Sequence, residues 1–477
     1  MNSDSYRASG STDGLDALHA GIGAAPSSTQ VFWPALTPEA SRIIERAWDY
    51  VTPAMALDTD LALTNIWSYG GHERQISDYL VDRLGRAGLD AHRQDLDERS
   101  ANTIVALGEV TGTQLMLVAP TDSHFAGNQA EDGLQWGEPN RRDNMLPATR
   151  VGESVVGLAS DNPKAMVTAI TLALEALNAV GFRPRGGLVG AFAACGAPAR
   201  APESEPRKLN SLGAGVWHMA SQGVLPDFAM YHKPGYQIAW EDMALNQFEI
   251  TIAGDPTYMA YGGMYRVMDA VCQVASKFNA WTRRYAQRKH GTFEGLSALN
   301  VIQVGRAERP NWSSGVAKLY ADIRTAPLAP PAFGRQVMER VMAEAVGNLP
   351  EVEISWRQVA FMPGGSTSPL NWIVQSGIRG SLSVDGRREE MYTSAPVGQT
   401  EMGYLQRLGV ATAKLHGFPP GVAGHPEMPA DIKELTLSCA YAPHIVKAAR
   451  VMIYAAVDTL SRSADELLSV ESSTGAV

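Results

Sequence analysis

The stretch from Leu115 to Cys195 holds the residues best placed to do chemistry. Two apolar runs, Leu115–Pro120 and Gly187–Ala194, read as buried strands, and a helix opens between them at Ser160-Asp161-Asn162-Pro163. An active site is expected at the outer ends of those strands, with Asp161 at its centre. The ordinary alternative for Asp161 is a helix N-cap, a place Asp often fills. Asn162-Pro163 stands beside it to do the capping, which favours a functional aspartate. Where hydrolytic chemistry would want a carboxylate or an imidazole, the chain has Pro120, Cys195 and Gly196. Cys195 could act as a soft metal ligand or as a nucleophile if its pKa is lowered. A small buried core cysteine is the commoner case.

Composition narrows the classes. The chain has 477 residues, 45% hydrophobic and 19% charged, as expected of a globular protein with a sizeable core. A net charge of −10 argues against a nucleic-acid or anionic-membrane partner, since both need a basic face. No apolar run reaches the ~18 residues of a spanning helix. The polar, Gly/Ser-rich N-terminus shows no charged-then-apolar leader. Three widely separated cysteines, Cys195, Cys272 and Cys439, fit a reducing cytoplasm and give no disulfide framework.

The elements that must position the site follow from periodicity. Residues 1–30 read as a disordered tail rich in Ser, Gly, Ala and Asp. Thr37-Pro38 opens a helix, with Thr as cap and Pro in the first turn. A second helix covers Glu73–Ala87, and Gly88 ends it. Strands follow at Thr103–Leu107 and Gln114–Val118, the latter nearly all apolar as in a sheet covered on both faces. Residues 121–155 form a long, turn-rich segment of the kind that is usually functional or inserted. A helix is expected over Pro163–Ala179, then a strand at Gly186–Ala194, a helix at Ser211–Gln222, and a strand at Phe228–Tyr231 leading to His232-Lys233-Pro234. From Asn246 to Met362 the order β-α-β-β-α-β is the ferredoxin-like split pattern. After it α/β texture returns, closing on a long helix over Ile432–Ser461. The expected fold class is α/β: residues 31–245 and 363–477 form one discontinuous α/β/α domain, and residues 246–362 an inserted α+β lid or dimerisation domain.

With this organisation the sequence resembles the zinc aminoacylase/carboxypeptidase family, which includes acetylornithine deacetylase and succinyl-diaminopimelate desuccinylase. The resemblance spans residues 35–460 and rests on the insertion architecture plus local matches. Leu115–Asp122 sits where the family has a strand ending in His-x-Asp, and Gly157–Asp161 where it has Gly-x-x-x-Asp before a helix. Phe192–Gly196 sits where it has a strand ending in Glu-Glu. Asp227–Pro234 matches the strand ending in an acidic or histidine ligand, and Gly424-His425-Pro426-Glu427 the last histidine ligand. Asn311 and Ala321-Asp322-Ile323-Arg324 match the inserted domain.

The resemblance implies a zinc-peptidase-like fold and a two-zinc site, in which an Asp and a water bridge the metals and a Glu shuttles the proton. Two metals ~3.5–4 Å apart lower the pKa of the water and polarise the carbonyl, and a base contributes ~10²–10⁴-fold. It implies metal ligation by Asp161, His232, His425 and Asp122, substrate-carboxylate binding by Asn311 and Arg324, and oxyanion contact by Tyr258, which stands where the family has a histidine. A loop histidine bonded to backbone is the ordinary alternative for His232 or His425 alone. For Arg324 the alternative is a surface ion pair. Pro120 replaces the histidine of His-x-Asp, with His124 as a shifted substitute, and Cys195-Gly196 replaces Glu-Glu. Two cofactor states stay open: one divalent metal, zinc or manganese, or none.

Three functions compete. The first is an amide-bond hydrolase or related acyl-processing enzyme of a small amino-acid-like substrate, with a remodelled metal site. The second is a metal-free relative using Cys195, His232 or Tyr258 for other chemistry, or a non-catalytic binding protein. The third is an interaction role, with a homodimer formed through the Met264–Trp281 helix.

Overall fold

The computed structural model describes residues 34–109, 112–136, 141–197, 211–258, 260, 266–286, 289–290, 293–294, 296–304, 311–347, 352–386, 399–418 and 438–467. The chain divides into two units: Val31–Gln247 with Gln358–Val477, and Phe248–Arg357.

The larger unit is built on a seven-stranded mixed sheet. Five of its strands are β1 (Asp90–Asp95), β2 (Ala101–Gly108), β3 (Gln114–Pro120), β4 (Gly187–Ala193) and β5 (Phe228–Gly235). In space the order is β1-β2-β4-β3-β5, then the strand Ala411–Gly417 and the two-residue strand Ile238–Ala239. β3 runs parallel to both β4 and β5, and β5 runs parallel to Ala411–Gly417. Four parallel strands therefore point their carboxyl ends the same way, the side on which ligands gather in open α/β sheets.

Alternation along these strands feeds two cores. Leu115, Leu117, Ala119, Leu188, Phe192, Phe228 and Met230 face one of them. Helices α1 (Pro38–Tyr50), α2 (Pro53–Thr64), α3 (Arg74–Arg86) and α4 (Met166–Ala179) supply that core, together with the later helices Trp372–Asp385 and Ala442–Leu460. Every residue from Met166 to Leu177 is buried, the signature of a helix covered on all sides. Met116, Val118, Val189, Ala191, Ala229 and Tyr231 face the other core, with Val216 and Met219 of α5 (Ala214–Ser221) and Met402 and Leu405.

The smaller unit carries β6 (Ala244–Ala253), α6 (Arg266–Ala286), β7 (Leu296–Val304), β8 (Val316–Thr325), α7 (Pro331–Val346) and β9 (Glu353–Met362). Its sheet order is β7-β8-β6-β9, the ferredoxin-like arrangement expected from the element order. The remaining labelled elements are α8 (Trp372–Asp385), α9 (Met402–Arg407), β10 (Ala411–Gly417) and α10 (Ala442–Leu460). Among the described residues no helix is long and apolar enough to cross a membrane.

Several local expectations need correction. The helix expected from Pro163 starts at Met166, and no side chain caps it. Ser160–Ala165 is a separate turn in which Asn162 has non-helical angles (φ −131°, ψ 105°), so neither Asp161 nor Asn162 acts as an N-cap. Residues 121–155 contain a helix at Gln129–Trp136 and the outer strand of a hairpin, Thr149–Val151 paired with Ser154–Val156. Cys439 lies in a strand, Cys439–Tyr441, because it pairs with Val156 rather than continuing α10 back along the chain.

Candidate functional site

The carboxyl ends of β3, β4 and β5 bring several buried charged groups together. Asp122 follows β3. Its Oδ1 accepts from Gly196 N and its Oδ2 from Ala197 N, each at 2.7 Å. Both oxygens are thus committed to the turn after β4. That turn is tight: Cys195 has φ +56°, and its N–H donates to Glu73 Oε1 at 3.0 Å. Glu73, just before α3, also accepts from Gly71 N and the Ser100 hydroxyl. Burial, with Asp122 nearby, pushes the Glu73 carboxyl up to about 7. Cys195 is fully buried, its Sγ 3.9 Å from Glu73 Oε2 and 3.8 Å from Ser100 Oγ.

Lys164 enters the same region from the turn before α4. It is buried, and its ammonium donates to Ser68 Oγ and to the carbonyls of Ile66 and Thr121. Burial draws its pKa down to about 7, against the pull of Asp122, Asp60 and Glu73. Asp60 of α2 accepts from the Thr168 hydroxyl, and burial raises its carboxyl well above the usual range.

The two-residue period of β5 sorts its last side chains onto opposite faces. His232 falls on the α4 face. Its Nδ1 lies 3.3 Å from the Met166 carbonyl, an acceptor, so Nδ1 carries the proton and Nε2 is the bare nitrogen. Among the described residues Nε2 is buried without a hydrogen-bond partner, and burial pushes the imidazole down to about 4. His232 and Asp161 line one small cavity of about 20 Å³, with Tyr441 and His444 on its wall. That volume suits a single water molecule.

Tyr231 and Lys233 fall on the other face, toward the loop before α9. There the Tyr231 hydroxyl donates to Glu401 Oε2. Glu401 is buried, its Oε1 has no hydrogen-bond partner among the described residues, and burial pushes its carboxyl up to about 7. Lys233, half-buried, is drawn down by burial and faces Glu401 and Asp122. Burial, together with Lys233, also holds His124 down to about 4. The loop is fixed from beneath: Thr400 N and Oγ1 donate to Asp242, which is paired to Lys414 at 2.9 Å with both side chains fully buried.

Of the expected site residues, Asp161 and His232 meet, Asp122 and Cys195 meet at the β4 turn, and His425 lies outside the described residues. Tyr258, Asn311 and Arg324 belong to the smaller unit. Tyr258 bridges Trp312, with ring centroids 5.4 Å apart. Asn311 is exposed, and Arg324 grips Asp322 through two hydrogen bonds of 2.6 and 3.0 Å. Sequence reasoning missed Glu73, Lys164 and Glu401. Lys164 left a trace as one cation opening an otherwise apolar helix. Glu401 left a trace beside the Gly398-Gln399-Thr400 loop.

Among the described residues the donor set does not make a two-metal centre. Among the described residues no three His, Cys, Asp or Glu side chains converge to hold an ion. Pro120 and Gly196 carry no donor atom, and both Asp122 oxygens are engaged by backbone N–H groups.

No protein-family model matches the sequence, and no curated protein matches it. Solved structures do. Human carnosine dipeptidase 1 is similar with a TM-score of 0.61 at 11% identity, over 90% of this chain and 100% of that one. A tripeptidase from Staphylococcus aureus gives 0.60 at 14% identity, over 87% and 100%. The YXEP protein of Bacillus subtilis, described as a dinuclear metal binding peptidase from the M20 family, gives 0.55 at 12% identity, over 86% and 98%. The chain therefore shares the fold of these peptidases and dipeptidases, the zinc-peptidase-like fold that the sequence resemblance implies.

Proposed function

We propose that the protein is an amide-bond hydrolase, or a closely related acyl-processing enzyme, acting on a small amino-acid-like substrate at a remodelled site. One observation carries this reading. Asp122, Tyr231, Lys233 and Glu401 converge at the carboxyl ends of β3 and β5, beside the strained turn at Cys195. Burying this much charge is costly to folding. Groups with pKa values moved toward neutrality at such a place are those that exchange protons in a reaction. A carboxyl moved to about 7 is matched to general acid–base work at neutral pH.

The fold supports the reading, because the solved structures it matches are named as peptidases, dipeptidases and amidases. In this chain Lys233 supplies positive charge for a carbonyl oxygen or a substrate carboxylate, and the cluster supplies a carboxylate for proton transfer. A divalent ion would need Asp161 and His232 together with a donor outside the described residues.

The test is amine release from a panel of dipeptides, N-acetyl amino acids and N-carbamoyl amino acids by the purified full chain. Turnover of at least one class is expected. Absence of turnover across all three, with and without added zinc, manganese or cobalt, contradicts the proposal.

A further inference from the structure

We propose that Glu401 is the proton-transferring carboxylate of this site, delivered by the loop before α9 into the space that Gly196 leaves open. The assignment rests on the hydrolase reading above and adds to it a residue far in sequence from the strand that carries Gly196.

The two residues share one volume. A Cβ placed on Gly196 would overlap Glu401 Oε1, and would stand 2.6 Å from Pro120 Cβ and 3.0 Å from Asp122 Oδ1. Any side chain at position 196 therefore excludes Glu401 from its present place. The absence of a side chain at the end of β4 and the presence of a carboxylate there are two sides of one arrangement.

The carboxylate is also held in a definite pose. Thr400 is tied to the buried Asp242–Lys414 pair through its N–H and its hydroxyl. Met402 N donates back to Thr400 Oγ1 at 3.2 Å. Tyr231 engages Oε2 only. Oε1 is buried with no hydrogen-bond donor among the described residues, which leaves it the oxygen not engaged by Tyr231. The titratable groups facing this carboxyl are Tyr231 and Lys233 from β5, Asp122 from the loop after β3, and Tyr404 one turn along α9. Burial dominates, and the carboxyl sits near neutrality.

The step balances as plain hydrolysis. Glu401 Oε1 takes a proton from water as the water oxygen bonds to the amide carbon. The C–N bond then breaks, the proton passes from Glu401 to the leaving nitrogen, and a carboxylic acid and an amine result. The acid's remaining proton then passes to the amine to leave a carboxylate and an ammonium. Tyr231 positions the carboxylate through Oε2 and does not touch the reacting atoms.

The experiment compares wild type, E401Q, E401D and G196A on the dipeptide and N-acyl panel, with kcat and KM measured across pH. E401Q is expected to lose about 100-fold or more in kcat, with KM within about threefold. The pH limb near 7 should vanish with it. G196A should lose kcat in the same direction, because its methyl displaces Oε1. E401D, which keeps the charge but withdraws it by one methylene, serves if E401Q fails to fold and should likewise lose kcat rather than KM. Retention of kcat within about threefold in E401Q, or an unchanged pH limb, overturns the assignment. A second readout separates the two proposals. Because Glu73 is also pushed up to about 7 and contributes equally to both proteins, the expected signal is a carboxyl band titrating near pH 7 in the wild-type-minus-E401Q infrared difference. If wild type turns over nothing, the hydrolase reading fails and the assignment of Glu401 falls with it. If wild type turns over a substrate but the difference band is missing or E401Q keeps its kcat, the hydrolase reading stands and the assignment of Glu401 alone fails.

Discussion

The hydroxyl of Tyr231 donates to Glu401 Oε2 between residues 170 positions apart in sequence. This bond stabilises the charged form of Glu401, so it pulls the carboxyl down while burial pushes it up. Tyr231→Phe removes the pull. The Glu401 pKa should rise further, and the acidic limb of the kcat/KM profile should move to higher pH. The change also removes a buried hydrogen bond to a charged group, about 1.5–3 kcal/mol of stability. A pH profile of Y231F with an unshifted limb would show that this bond does not tune the reacting group.

Glu401 also ties stability to pH in a defined direction. Its carboxyl ionises near 4.5 in the unfolded chain and near 7 in the folded one. Between those values the folded state binds more protons, so stability falls as pH rises from about 4.5 to about 7. E401Q lacks this contribution. Urea unfolding should show wild type losing on the order of 3 kcal/mol relative to E401Q across that window. Parallel pH curves for the two proteins would contradict the burial argument. Glu73, also pushed up to about 7, adds a slope of the same sign to both proteins.

Lys414 and Asp242 form a fully buried ion pair that also anchors Thr400. Lys414→Met strands a carboxylate in a dry environment and should cost about 3–5 kcal/mol. Replacing both partners by apolar residues of similar volume should recover much of that loss. Because the pair holds the loop, the single variant should also lower kcat. Denaturant midpoints together with amine release read both effects.

Asp161 and His232 share a cavity, yet the described residues bring only these two donors from the expected ligand set to it. Catalytic zinc commonly takes three protein ligands and a water. The purified chain should retain below about half an equivalent of divalent metal after dialysis, measured by plasma mass spectrometry. A full equivalent, lost in Asp161→Asn and His232→Ala, would restore the metal-dependent form of the reaction.

Much of the architecture was legible because burial writes itself into composition. β3 and β4 are nearly unbroken apolar runs, since helices cover both faces of the sheet. The ferredoxin-like unit was legible from element order alone. Helix starts were less so: Pro163 looked like a first helical residue, but the Asn162 backbone turns away from the helix and delays it to Met166. The site was half legible. Asp161 and His232 stood out by residue type and place. Glu401 did not, because its meaning depends on a glycine and a tyrosine brought to it from strands 205 and 170 residues earlier. Lys164 was hidden because a single cation in an apolar run reads as an exposed residue until its three acceptors are seen.

The most direct test of the central claim is a crystal structure of the full chain with a non-hydrolysable dipeptide analogue bound. The account predicts the amide mimic within hydrogen-bonding distance of Glu401 Oε1, with Lys233 Nζ facing its oxygen. An analogue seated elsewhere, with Glu401 still sealed behind Tyr231 and Gly196, would contradict it.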